Sequence, residues 1–272
     1  MHITHFVRNG PLTTGYQEVG SGHPFVLVHG YTGSKLDFQD QLEWFADLRR
    51  VIAYDQRGHG ESSNQQPYDY DVLVEDLLRL LDVLAIDRCD LLGHSLGGMV
   101  AMRAVLAAPE RFSSLILMDT AADSLPAMPE RVREKLDALV AEHGCAALLD
   151  RARDSQPTPA QQRGIDYLGE AEHWRRLSVK LQQMDPVAFR ELGPLLRHQP
   201  PLLDRVQAIA CPATVLVGEH DTAFLEPSAD IAARLPRARL VTIPHAAHSP
   251  QYENADAWRA AVREHLKSHP PE

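Results

Sequence analysis

The sequence predicts an α/β protein, a mainly parallel, twisted sheet carrying helices on both faces, interrupted by a helical insertion. Three observations lead there. Short, continuously apolar runs alternate with stretches of helical periodicity, the pattern of strands buried on both faces and joined by crossover helices. The turns after Val28, Tyr54, Leu92 and Met118 then crowd one edge of the sheet, the carboxyl ends of the strands, where such sheets bind ligands. From Asp123 to about Arg205 strand-like runs disappear, and they return afterwards.

Phe25-Val26-Leu27-Val28 is the first buried-strand run and ends at His29-Gly30. Leu36, Phe38, Leu42, Phe45 and Leu48 recur at roughly helical spacing, which predicts a helix before the next strand, Val51-Ile52-Ala53-Tyr54. That strand ends in Asp55 and the glycine-rich Gln56-Arg57-Gly58-His59-Gly60. Leu73, Leu77, Leu80, Leu81 and Leu84 mark an amphipathic helix from Val72 to Leu84. Cys89-Asp90-Leu91-Leu92 reads as a strand, Met99 to Ala107 as a helix, and Leu115-Ile116-Leu117-Met118 as a further strand. Residues 123–205 are charged, proline-interrupted and helical in character; they are expected to form a cap over the sheet edge, with 1–122 and 206–272 as the core. Alternation resumes with Thr214-Val215-Leu216-Val217, Arg239-Leu240-Val241-Thr242-Ile243 and a last helix from Ala255 to Leu266.

Length and composition suit a chain with a substantial core: 272 residues, 44% hydrophobic and 24% charged. A formal net charge of −10 disfavours nucleic acid and anionic membrane surfaces as main partners. Met1-His2-Ile3-Thr4-His5 lacks the basic-then-apolar pattern of a leader, and no apolar run approaches membrane-spanning length. Cys89, Cys145 and Cys211 are scattered, with no C-x-x-C pair, which predicts reduced thiols. Together these features predict a soluble, cytoplasmic protein. The 14 histidines include no H-E-x-x-H pair and no mixed Cys/His spacing, so no metal is expected.

Gly93-His94-Ser95-Leu96-Gly97-Gly98 reads G-x-S-x-G and lies between a strand and a helix. A serine on so sharp a turn is held with its hydroxyl exposed above the sheet, and side chains at the flanking glycines would collide with neighbouring elements. The hydroxyl is a poor nucleophile unless a base takes its proton, and that base must be held in one tautomer by a third group. Both are offered just past late strands, Asp221 in Val217-Gly218-Glu219-His220-Asp221 and His248 in Ile243-Pro244-His245-Ala246-Ala247-His248. His245 competes as the base, but it follows Pro244 too early to reach Ser95 and reads as loop packing or a cavity rim. Asp119, after Leu117-Met118, is a rival acid; the Gly-Glu-His-Asp context favours Asp221. His59 reads as a turn histidine bonded to backbone, and His94 as a side chain packed or hydrogen-bonded beneath the nucleophile. Trp174, Met184 and Phe189 are each commoner as inner packing than as substrate contacts. A cap must nevertheless turn some such residues toward the cavity, and these three are the candidates.

With these motifs in this order the chain resembles the α/β-hydrolase superfamily over nearly its whole length. His29-Gly30-Tyr31 matches the family's oxyanion loop, and Asp55-Gln56-Arg57-Gly58-His59-Gly60-Glu61-Ser62 a characteristic turn. Gly93 to Gly98 matches the nucleophile elbow, and Asp221 and His248 the remaining triad positions. The resemblance implies the α/β-hydrolase fold with a helical cap, and an oxyanion hole made by the backbone N–H groups of Tyr31 and Leu96. His29 would support that loop. It further implies a serine esterase that needs no cofactor and cleaves carboxylic esters, lactones included, with small to medium, fairly apolar groups. Ser95 attacks, His248 moves the proton, Asp221 orients the imidazole, and water releases the acid from an acyl-serine.

Other branches of the family carry different signatures. Epoxide and dehalogenating relatives use aspartate at the position of Ser95. C–C bond hydrolases commonly carry asparagine and tryptophan where this chain has His94 and Ser249, and perhydrolases usually have phenylalanine before the serine. A lyase branch, the menaquinone-pathway enzyme that eliminates pyruvate, has an oxyanion loop much like His29-Gly30-Tyr31-Thr32-Gly33-Ser34. It needs arginines around an anionic substrate, for which Arg57, Arg103, Arg175 and Arg176 are candidates. The lyase, a C–C bond hydrolase on the same fold and a small-molecule receptor with little turnover are the alternatives.

Overall fold

The apolar runs pair into one eight-stranded sheet in the computed structural model, which describes residues 2–125 and 129–271. Its strands are β1 (His5–Asn9), β2 (Leu12–Val19), β3 (Pro24–Val28), β4 (Arg50–Tyr54), β5 (Cys89–His94), β6 (Phe112–Met118), β7 (Ala213–Gly218) and β8 (Ala238–Ile243). They lie in the order β1-β2-β4-β3-β5-β6-β7-β8. The β1/β2 and β2/β4 pairs are antiparallel, and every pairing from β4 to β8 is parallel. Val28 pairs with Gly93 and His94 with Met118, so the turns after β3, β5 and β6 open side by side at one edge. Around the sheet run α1 (Tyr70–Val83), α2 (Leu96–Ala107), α3 (Glu130–His143), α4 (Leu148–Arg153), α5 (Pro159–Leu168), α6 (Glu170–Gln183), α7 (Pro186–Leu195), α8 (Leu225–Arg234), α9 (Pro250–Glu253) and α10 (Ala255–Ser268). Helices α3 to α7 all fall between β6 and β7.

Successive strand residues point to opposite faces, and the core divides accordingly. Val26 and Val28 pack with Leu73, Leu77, Val100 and Ile231 on one face. Phe25 and Leu27 pack with Phe38, Phe45, Trp258 and Val262 on the other. Burying each of these side chains stabilises the fold by about 1.5–3 kcal/mol before entropy is counted. A smaller cluster of Val140, Cys145, Met184 and Phe189 lies within the inserted helices. All three cysteines are free thiols. No helix among the described residues is long and apolar enough to cross a membrane.

Two features differ from the sequence reading. The hairpin β1–β2 is not anticipated, because Leu12-Thr13-Thr14-Gly15-Tyr16 contains no apolar run. The helix expected across Leu36 to Leu48 is absent; Lys35–Asp37 and Leu42–Phe45 are separate 3-10 turns instead. Apolar residues three apart suit a 3-10 turn as well as an α-helix. Here Ser34 and Asp37 close a capping box around a single turn, while Phe38, Leu42 and Phe45 still reach the core.

Candidate active site

Ser95 sits between β5 and α2 with φ 53° and ψ −118°, a conformation costly for a non-glycine residue. The strain is held from several sides. Its N–H donates to Met118 O at 2.9 Å, and Thr120 Oγ1 donates to Ser95 O at 2.7 Å. A Cβ at Gly93 would overlap Gly97 O, and one at Gly97 would overlap Val28 O, so the first turn of α2 rests directly on the strand ends.

His248 lies in the loop between β8 and α9, and its Nδ1 is 2.7 Å from Asp221 Oδ2. The imidazole packs between Phe224, centroids 4.8 Å apart, and His94, 4.9 Å apart. His94 Nε2–H donates to His248 O at 2.8 Å, the partner that fixes its tautomer. Burial pushes the His94 imidazole down to about 3, so it stays neutral beneath the site. Glu253 grips the same loop: its Oε2 accepts from Ala247 N–H at 2.6 Å and from Ser249 N–H at 3.2 Å. Sequence reasoning misses Glu253, since a lone glutamate near a short helix carries no distinctive signal. Asp119 is fully buried, and its Oδ1 accepts the Gly218 N–H at 2.8 Å. One carboxylate oxygen each of Asp119 and Asp221 and a ring nitrogen of His248 lie within 4.8 Å of one another.

Ser95 and His248 line one cavity of about 280 Å³, with Gly30 and Tyr31 from the loop after β3. That volume is near the lower end for small-molecule sites. From α5 and α6 come Gln161, Leu168, His173, Arg176, Leu177 and Lys180. The cations of this wall are engaged: Lys180 Nζ is 2.6 Å from Asp37 Oδ1, and Arg176 pairs with Asp40 at 2.5 Å and Glu172 at 2.7 Å. Burial pushes the Asp37 carboxyl up, but Lys180 outweighs it and holds the group below the ordinary carboxylate range.

Among the residues singled out from sequence, Ser95, His248 and Tyr31 come together at this cavity, with Asp221 bonded behind the imidazole. Leu96 opens α2, where the first N–H groups of a helix have no intrahelical partner. Trp174, Met184 and Phe189 do not reach it. Positions 173, 176, 177 and 180 share the inward face of α6, and Trp174, a further 100° round, lines a neighbouring groove under Arg153. Met184 and Phe189 pack behind Tyr31, whose ring stacks on Phe189 at 5.4 Å and whose hydroxyl donates to Phe189 O at 2.5 Å. Of the four arginines, Arg176 alone lines the cavity. Arg57 is bound to Asp76, Arg103 lies over Tyr70, and Arg175 pairs with Glu172. His29 braces the loop after β3, accepting Gln56 N–H at its Nε2 and donating from Nδ1 to Gly30 O. His59 donates to Arg57 O within its turn. His245 is exposed, with its N–H on Glu219.

The sequence model described as alpha/beta hydrolase fold matches residues 23–255, and the chain belongs to that family. A Bacillus subtilis (strain 168) protein named putative 2-succinyl-6-hydroxy-2,4-cyclohexadiene-1-carboxylate synthase is 30% identical over 251 residues, 89% of this chain and 90% of that protein. Among solved structures, an enol-lactonase from Burkholderia xenovorans LB400 superposes with a TM-score of 0.83 at 24% identity, over 97% of this chain and 100% of that one. A thermophilic esterase from Thermogutta terrifontis has a TM-score of 0.81 at 25% identity and covers 100% of both chains.

Proposed function

We propose that this chain is a serine hydrolase of small carboxylic esters, lactones included, in which residues 123–205 cap the site. The observation that carries the reading is the Asp221–His248 hydrogen bond of 2.7 Å behind an imidazole that shares a small cavity with Ser95. Ser95 Oγ attacks the ester carbonyl while His248 Nε2 takes its proton. Asp221 keeps the Nδ1–H tautomer and stabilises the imidazolium. The N–H groups of Tyr31 and Leu96 receive the developing oxyanion, a contribution worth about 10²–10³ in rate for each donor. His248 returns the proton to the departing alcohol, then activates water against the acyl-serine. Nothing in this sequence of steps calls for a cofactor.

A lyase reading has one observation in its favour, the full-length relative whose name is that of a synthase. Against it, the Arg176 and Lys180 charges are neutralised by Asp40, Glu172 and Asp37, so an anionic substrate would have to displace a protein carboxylate.

A panel of p-nitrophenyl esters of increasing chain length, with several lactones, separates the readings. Hydrolysis of the short esters that drops by about 10³-fold or more in Ser95→Ala supports the proposal. Pyruvate release from the lyase substrate with poor ester turnover sinks it, as does tight ligand binding without turnover that survives the same substitution.

A further inference from the structure

Asp119 ends the β6 turn fully buried beside the acid that holds His248, and the hydrolysis just described gives it no part. Its Oδ1 takes the Gly218 N–H, but its Oδ2, equally buried, accepts no hydrogen bond from any described residue. That carboxyl group faces Asp221, which directs its own Oδ2 to His248 Nδ1. Two carboxylates turned on each other, out of water and with no donor between them, do not both keep a charge. We propose that Asp119 works as an uncharged carboxylic acid whose proton is shared with Asp221, a positioning residue that leaves Asp221 the single negative charge behind His248.

The surrounding groups act in that sense. Burial pushes the Asp119 carboxyl far up, followed by the adjacent Asp221 carboxylate from the turn after β7 and by Glu253 from α9; the Gly218 N–H opposes them. The proton would hold the Asp221 carboxylate in the rotation that aims Oδ2 at His248. It would also spare His248 a second adjacent negative charge, which would keep on the imidazolium the proton owed to the leaving group. The inference rests on the triad reading above for its catalytic meaning.

Asparagine reproduces the pattern of a protonated aspartate, a carbonyl oxygen for Gly218 N–H and an N–H for Asp221, without a titratable proton. Asp119→Asn should therefore keep kcat/KM for p-nitrophenyl acetate within about threefold and leave the acid limb of the pH–rate profile in place, whereas Asp221→Asn loses about 10⁴. Asp119→Ala removes the donor and makes Asp221 more basic, so its acid limb should move to higher pH and its kcat should fall about tenfold or more. Infrared difference spectra at pH 7, wild type minus Asp119→Asn, should contain a protonated-carboxyl stretch that shifts in deuterium oxide; Asp119→Ala serves for the difference if the other variant does not fold. Absence of that band overturns the proposal, and so does an Asp119→Asn enzyme as impaired as Asp221→Asn or with a displaced acid limb. The spectroscopic arm needs no turnover, so failure of the esterase reading and failure of this one are told apart.

Discussion

Glu253 accepts hydrogen bonds from the N–H groups on both sides of His248, so one carboxylate oxygen fixes the loop that carries the proposed base without touching the imidazole. Charge-assisted bonds of this kind contribute about 1.5–3 kcal/mol each, and leaving a buried N–H unpaired costs a similar amount. Glu253→Ala should therefore lower kcat about tenfold or more through a mispositioned imidazole, with a smaller change in KM, since displacement of a catalytic group acts chiefly on the chemical step. Steady-state kinetics on one ester decide it: an unchanged kcat in a folded variant rules out the clamp. Lys35 makes the corresponding point about stability. Its ammonium, 2% exposed, lies 2.6 Å from both Asp55 and Glu61, inside the turn Asp55 to Ser62 that the sequence singles out. Lys35→Met strands the Asp55 carboxylate, already pushed up by burial, and should cost about 3–5 kcal/mol in a urea titration. A loss below about 1 kcal/mol, typical of an exposed pair, would contradict this account.

At the scale of elements, the strands and the elbow were legible because their signals are local and redundant: continuous apolar runs, a glycine pair around Ser95, and Asp221 and His248 each just past a strand. The insertion between β6 and β7 was legible as a helical segment but not in its facing. Which side of α6 meets the cavity depends on its rotation against the 3-10 turn Lys35–Asp37, fixed by Lys180–Asp37 and Arg176–Asp40, pairs 143 and 136 positions apart in the chain. No local pattern encodes such contacts, so the sequence offers Trp174 as a candidate although His173 and Leu177 hold that face. The same latch yields a prediction. Lys180→Met leaves Asp37, itself part of the capping box, without its cation. It should loosen α6 and raise KM for the longer esters several-fold while kcat on p-nitrophenyl acetate changes little, because the latch does not touch the acyl-serine chemistry. Chain-length dependence identical to that of the wild type would show that α6 does not set selectivity.

For the whole molecule, the distribution of histidines sets a limit in acid. His29, His59, His94 and His265 are buried, and burial pushes their imidazoles down to about 4, 3, 3 and 3. An unfolded chain protonates each of them near 6.5, while the native state leaves them neutral, so below that value unfolding takes up protons and stability falls as pH drops. Each contributes about 1.4 kcal/mol per pH unit until its folded value is reached. Buried carboxyls act the other way: Asp55, Asp76, Glu253 and above all Asp119 are raised by burial, which favours the native state as pH falls toward ordinary carboxylate values. The histidines therefore weigh most just below pH 6.5. Before those carboxyls are counted, the four together remove on the order of 8 kcal/mol at pH 5, comparable to the whole stability of a typical domain. Urea midpoints measured at pH 7.5, 6.5 and 5.5 should fall slightly between the first two, by about 1–2 kcal/mol of stability, and drop sharply at the third. A midpoint at pH 5.5 equal to that at 7.5 would mean that these imidazoles accept protons in the native state, and the buried surroundings of His29, His59 and His94 would then have to be redrawn.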